Sequence, residues 1–141
     1  MASTVIKNWD NKTWLSSKNY ILNFNNFLIK ANKLDSNSQI LDIGCGRGKI
    51  IGSLSSKLKL RVKPIGIDLV YHKDKDKRID FKKIDAISFF SINKKKFDLI
   101  LVKQTIHLLK MSEIKTLLIK MKKSLKPNGK ILIFTLKPHQ N

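Results

Sequence analysis

The sequence predicts an α/β domain in which a mostly parallel β-sheet is covered by helices on both faces. Three observations carry that expectation. Short apolar runs of strand length recur along the chain, segments with helical spacing separate them, and the first run ends in a glycine-rich turn that opens a helix. Continuous apolar runs, rather than strict alternation, are the mark of strands buried on both faces.

The elements follow in order. Thr13 to Lys30 places Trp14, Tyr20, Ile21, Phe24, Phe27 and Leu28 mostly three or four residues apart, which is one face of a helix. Asn32 to Asn37 is a polar break, and Gln39 to Ile43 a short strand ending at glycines. Lys49 to Leu58 returns to helical spacing through Ile50, Ile51, Leu54 and Leu58. Val62 to Ile67 and Phe81 to Ile84 read as the second and third strands. Ala86 to Ile92 reads as a short helix and Phe97 to Val102 as a strongly apolar fourth strand. Ser112 is the expected N-cap of a helix through Ile114, Leu117, Leu118, Met121 and Leu125. Lys126-Pro127-Asn128-Gly129 stops that helix, because proline cannot continue it and glycine turns the chain. Lys130 to Leu136 is the fifth strand. Residues 1–38 are thus expected to form an N-terminal helical arm and residues 39–141 the ligand-binding domain. Tyr71 to Arg78 (YHKDKDKR) reads as a solvated turn of mixed charge.

Composition sets limits. At 141 residues the chain is long enough for one domain with its own core. No apolar run approaches the roughly 20 residues that span a bilayer. Met1 to Trp9 lacks the pattern of a secretory signal. The lone cysteine, Cys45, excludes an intramolecular disulfide and a cysteine-based zinc site. Together these favour a cytoplasmic location. The formal net charge is +19, yet only Arg47, Arg61 and Arg78 of the 29 basic residues are arginines. The lysines accompany many asparagines and isoleucines, as an AT-rich coding bias would give. A basic excess of this size also suits an anionic partner such as nucleic acid. Composition leaves both readings open.

In parallel sheets, ligands sit at the carboxyl ends of the strands, where strand order reverses. The turn that would lie there reads Asp42-Ile43-Gly44-Cys45-Gly46-Arg47-Gly48-Lys49. Its glycines occupy the first, third and fifth positions, whereas a dinucleotide fingerprint needs the sixth, here Lys49. Asp68 closes the second strand 24 residues after Gly44, and a carboxylate there can accept both hydroxyls of a ribose. Asp85 follows the third strand and could also serve simply as a helix N-cap.

This spacing resembles motif I of the class I S-adenosylmethionine-dependent methyltransferases, and further features between Ile40 and Leu136 resemble the same family in the same order. The resemblance implies a Rossmann-like sheet of order 3-2-1-4-5, with the family's last two strands missing from this sequence. It implies S-adenosyl-L-methionine as cofactor. Asp42, Gly44, Cys45, Gly46 and Gly48 would bind it from the turn, Asp68 and Leu69 at the ribose, and Asp85 and Ala86 at the adenine. Lys103 would join them from the end of the fourth strand. His107, in the loop after that strand, is the candidate general base, needed only for a protonated acceptor; packing or surface exposure is its other reading. Trp9, Trp14 and Tyr20 could form a lid or simply pack the arm. Cys45 is expected to be a small wall residue rather than a nucleophile. The implied activity is methyl transfer to a small molecule, with RNA as the alternative acceptor. A non-catalytic cofactor-binding half that needs a partner chain is the rival from another class. The apolar fifth strand is also a place for self-association.

Overall fold

The computed structural model describes residues 18–103 and 110–134. Five strands form one sheet: β1 (Ile40–Ile43), β2 (Ile65–Asp68), β3 (Asp80–Lys83), β4 (Phe97–Lys103) and β5 (Leu125–Phe134). Their order is β3-β2-β1-β4-β5 and every neighbouring pair is parallel. Among the described residues four helices cover it: α1 (Lys18–Asn32), α2 (Lys49–Leu58), α3 (Ala86–Ile92) and α4 (Met111–Lys123). The expected fold class and strand order are what the chain adopts.

Strand periodicity divides the core into two layers. Leu41, Ile43, Ile100 and Val102 face one side and meet Phe89 of α3 and Leu117 and Met121 of α4. Ile40, Leu99 and Leu101 face the other and meet Leu28 of α1 and Ile51 and Leu54 of α2. All four residues of β1 are buried, as a central parallel strand requires. Asp42 and Lys103 share the parity of the second layer, so the pleat brings both side chains to one face of the sheet.

Several boundaries differ from expectation, each for a local reason. The second strand starts at Ile65 rather than Val62, because Pro64 has no N–H for the ladder and Val62 is exposed. The last helix is capped at Lys110 rather than Ser112. Its first-turn Glu113 accepts the Lys110 backbone N–H at 3.1 Å, half of a capping box. That helix also ends early, at Lys123, and Leu125 already pairs with Phe97. The Lys126–Gly129 segment instead bulges out of β5, since the next pairing is Leu99 with Lys130. Asp98 pins the base of this region, accepting from the Gln39 backbone at 2.6 Å and from Lys126 at 3.0 Å.

The Tyr71–Arg78 turn is less free than its composition suggests. Asp76 pairs with Arg78 at 2.7 Å, and the Asp76 N–H donates to the Arg47 carbonyl at 2.7 Å. Arg78 also donates to Ser56 of α2 at 2.9 Å. The guanidinium holds the Asp76 carboxyl below the usual carboxylate range. This turn therefore buttresses the glycine-rich loop from behind.

Candidate functional site

The strand order reverses between β1 and β4: the chain runs outward through β2 and β3, then returns to pair β4 on the other side of β1. A crevice opens at the carboxyl ends of such a pair. The residues singled out from sequence in the described region gather around that end.

The glycine turn is set by backbone geometry. Gly44, Gly46 and Gly48 all have positive φ, at 78°, 56° and 77°, a region that L side chains rarely occupy. The N–H groups of Gly44 and Cys45 both donate to the Ile67 carbonyl, at 2.9 and 3.0 Å, stitching the turn to the end of β2. Two of the glycines differ in surroundings. A Cβ on Gly48 would lie 2.2 Å from Ile79 Cδ1, whereas one on Gly46 would meet nothing within 4 Å. Gly48 is thus small for packing, and Gly46 leaves the backbone open to close approach.

Asp68 organises the rim. One carboxylate oxygen accepts the Gly46 N–H at 2.8 Å and the other the Val70 N–H at 3.1 Å. Each oxygen keeps a further lone pair for another donor. Leu69 beside it is 60% exposed. Asp85 is an N-cap as well as a rim residue: its side chain accepts from Ser88 N–H at 2.8 Å, and this bond lowers its carboxyl pKa. Ala86 follows as the first, half-buried residue of α3.

Across the seam, Lys103 Nζ lies 2.6 Å from Asp42 Oδ2. Asp42 is fully buried, and its Oδ1 has no hydrogen-bond partner. Burial pushes its carboxyl pKa up, the Lys103 ammonium draws it down, and the nearby Asp68 charge adds to the rise. The sequence shows both residues but not their pairing, since 61 positions separate them. Topology alone brings them together. Cys45 is buried, and desolvation, helped by Asp42 and Asp68, pushes its thiol up to about 12. It is packed near Gly66, a small residue in β2 whose added Cβ would sit 2.8 Å from the sulfur. A thiol held protonated in this way is a weak nucleophile. His107, Trp9 and Trp14 lie outside the described residues. Tyr20 is half-buried and stacks on Phe24 with ring centroids 5.9 Å apart. Among the described residues no group of three or more histidine, cysteine or acidic side chains could hold a metal ion.

Residues 40–129, more than half of the chain, match the sequence profile of a family described as a methyltransferase domain. The chain belongs to this family. Solved structures share the fold of this methyltransferase domain. The N-methyltransferase NodS from Bradyrhizobium japonicum, in complex with S-adenosyl-L-homocysteine, is 21% identical over 88% of the chain and 66% of its own, with a TM-score of 0.63. The plantazolicin methyltransferase BpumL, with a desmethyl plantazolicin analogue and S-adenosylhomocysteine, is 26% identical over 89% and 56%, at 0.61. A precorrin 8W decarboxylase from Methanobacterium thermoautotrophicum is 18% identical over 79% and 61%, also at 0.61. The methyltransferase domain therefore spans less than two thirds of the length of each. No curated protein sequence matches it. Among the described residues no helix is long and apolar enough to cross a membrane.

Proposed function

We propose that this chain binds S-adenosyl-L-methionine in the β1–β4 crevice and transfers its methyl group to a small-molecule acceptor. The observation that carries the reading is the geometry of Gly46 and Asp68. An open backbone stands beside a carboxylate whose two oxygens are already oriented by Gly46 and Val70 N–H groups. Such a carboxylate suits a ribose diol, and the orphaned Asp42 Oδ1 offers a buried acceptor beneath the same turn. The residues thus fit the cofactor. When bound, it supplies a methyl group on a positively charged sulfur, already activated for in-line attack.

The protein's own task is binding, alignment and exclusion of water. The Gly44–Gly48 turn admits the ligand, Asp68 and Leu69 would hold the ribose, and Asp85 with Ala86 would receive the adenine. Lys103 holds Asp42 in place below through its 2.6 Å contact. His107 would take a proton from an acceptor that carries one. The reading draws support from BpumL, which is held with a pentazolic desmethyl plantazolicin analogue.

The test is calorimetry with S-adenosylhomocysteine and, separately, NAD. The first should bind and the second should not. Asp68→Ala should weaken the first by about 1.5–3 kcal/mol, the worth of a hydrogen bond to a charged group. Tighter binding of NAD, or an unchanged affinity in Asp68→Ala, refutes the assignment.

A further inference from the structure

We infer that a second ligand site, for a polyphosphate group, lies at the opposite end of the sheet from the cofactor crevice. The loop between α3 and β4 and the end of α4 border an open cleft of about 280 Å³. Lys94, Lys95 and Lys96 line it from the loop, Lys120 and Lys123 from the helix, and Phe90 from beneath. Five lysine side chains thus line it, and among the described residues no carboxylate does. Every ion pair among the described residues lies elsewhere. Among the described residues, the Lys123 carbonyl is the acceptor that reaches them, engaged by Lys96 Nζ.

The cleft has a built wall. Asn93 folds the loop on itself, donating from Nδ2 to the Lys95 carbonyl at 3.0 Å and accepting the Lys95 N–H at 3.1 Å. The Asn93 N–H in turn caps α3 through the Phe89 carbonyl at 2.9 Å. Phe90 is only 8% exposed, so the base of the cleft is core. The three loop lysines are therefore presented on a shaped turn anchored to a helix end.

Charge and size select the ligand class. Like charges gathered around one concavity repel unless an anion joins them. A triphosphate group carries roughly −4 at neutral pH, counting nearly two charges on the terminal phosphoryl, which approaches the charge of the five lysines. The volume lies at the small end of ligand-enclosing pockets and suits a compact group better than a duplex or a membrane surface. Lysines without an arginine fork bind phosphate as point charges and tolerate several arrangements of it. Inorganic triphosphate and nucleoside triphosphates share this chemistry. The cleft stands where β4 and β5 begin, whereas the cofactor residues stand where the strands end. The seven residues of β4 separate the two by about 20 Å. The site does not depend on the reading of the crevice.

The test uses the full chain and inorganic tripolyphosphate, titrated by calorimetry at fixed salt. One variant carries Lys94→Gln, Lys95→Gln, Lys96→Gln, Lys120→Gln and Lys123→Gln. A charge-matched control carries Lys18→Gln, Lys30→Gln, Lys57→Gln, Lys73→Gln and Lys77→Gln, all exposed positions on other elements. We expect one tripolyphosphate per chain, at least tenfold weaker binding in the cleft variant and less than threefold in the control. Lys94→Gln with Lys95→Gln, both on the exposed loop, repeats the test should the fivefold variant fail to fold as judged by its melting curve. ATP without magnesium, run beside adenosine, identifies the source. Equal affinity for ATP and tripolyphosphate assigns the phosphate chain alone, and tighter ATP assigns a nucleotide; adenosine should not bind here. Asp68→Ala should leave tripolyphosphate affinity unchanged, which separates this site from the crevice. Equal losses in the cleft and control variants, or several ions bound per chain, overturn the site as diffuse charge. So does a cleft dependence seen only with a twelve-residue oligouridine or with phosphatidylglycerol vesicles.

Discussion

Removing Lys103 leaves Asp42 as a buried carboxyl with no cation beside it. In Lys103→Met the side-chain volume is nearly kept, so the loss is electrostatic. Breaking a buried pair from one side costs about 3 kcal/mol, the low end of the usual range, because Lys103 keeps 14% of its side chain exposed and water can reach the gap. The sign with pH follows from the direction of the shift. Burial already raises the Asp42 carboxyl above its ordinary value, and the ammonium is the group that draws it back. A raised acid holds its proton in the folded state after the unfolded chain has released it. Stability therefore falls as pH rises from the ordinary carboxylate range through the folded value, then levels. Without Lys103 that window extends further upward. The gap between wild type and variant should be wider at pH 8 than at pH 5. Urea denaturation at both values measures it, and at pH 8 the midpoint should drop by about 1.5 M for a typical small-domain slope. Adding Asp42→Asn should recover at least half of the loss. An equal loss at both pH values, or no recovery in the double variant, refutes the electrostatic account.

Three further outcomes follow from the same geometry. Gly46→Ala and Gly48→Ala both force a side chain into positive φ, at a cost of about 1–2 kcal/mol, but only the second drives a methyl into buried Ile79, adding about 1–3 kcal/mol. Melting curves should rank Gly48→Ala well below Gly46→Ala, and an inverted order would mean the turn is packed differently. Cys45, buried and pushed up to about 12, should resist iodoacetamide at pH 8 in the folded state and react once urea unfolds the chain. Rapid modification of the native protein would contradict its burial. Among the described residues β5 pairs on one side only, with β4, so light scattering should rise as salt screens the +19 charge. A monomer at every salt concentration would show that the edge is covered.

Much of the fold was legible because its signals are local. The apolar runs at Ile40–Ile43 and Phe97–Val102, the helical spacing of Lys49–Leu58 and the glycines between them each report on a few neighbouring residues. The sheet order came from the family resemblance and is the one observed. Boundaries slipped where a single hydrogen bond decides. Pro64 withheld a strand donor, and Glu113 moved a helix start by reaching back to Lys110. The rim carboxylate Asp68 could be named from its place after the second strand, but not its bonds to Gly46 and Val70. The Asp42–Lys103 pair and the lysine cleft were invisible for one shared reason: each joins residues far apart in sequence whose meeting depends on how the sheet is wound. Net charge counted those lysines without showing that five line one cleft.

The seam between β1 and β4 also bears on the order in which the molecule assembles. Joining Asp42 to Lys103 closes a loop of 61 residues, at an entropic cost of roughly 3–4 kcal/mol before any contact is gained. The β1–β2–β3 side forms through shorter connections, so its pairing can precede the arrival of β4. Closure of the seam is then expected to come late, with the crevice complete only once it has happened. A ligand held there grips only the finished sheet. It should lengthen the lifetime of the native state while leaving the rate of refolding nearly unchanged.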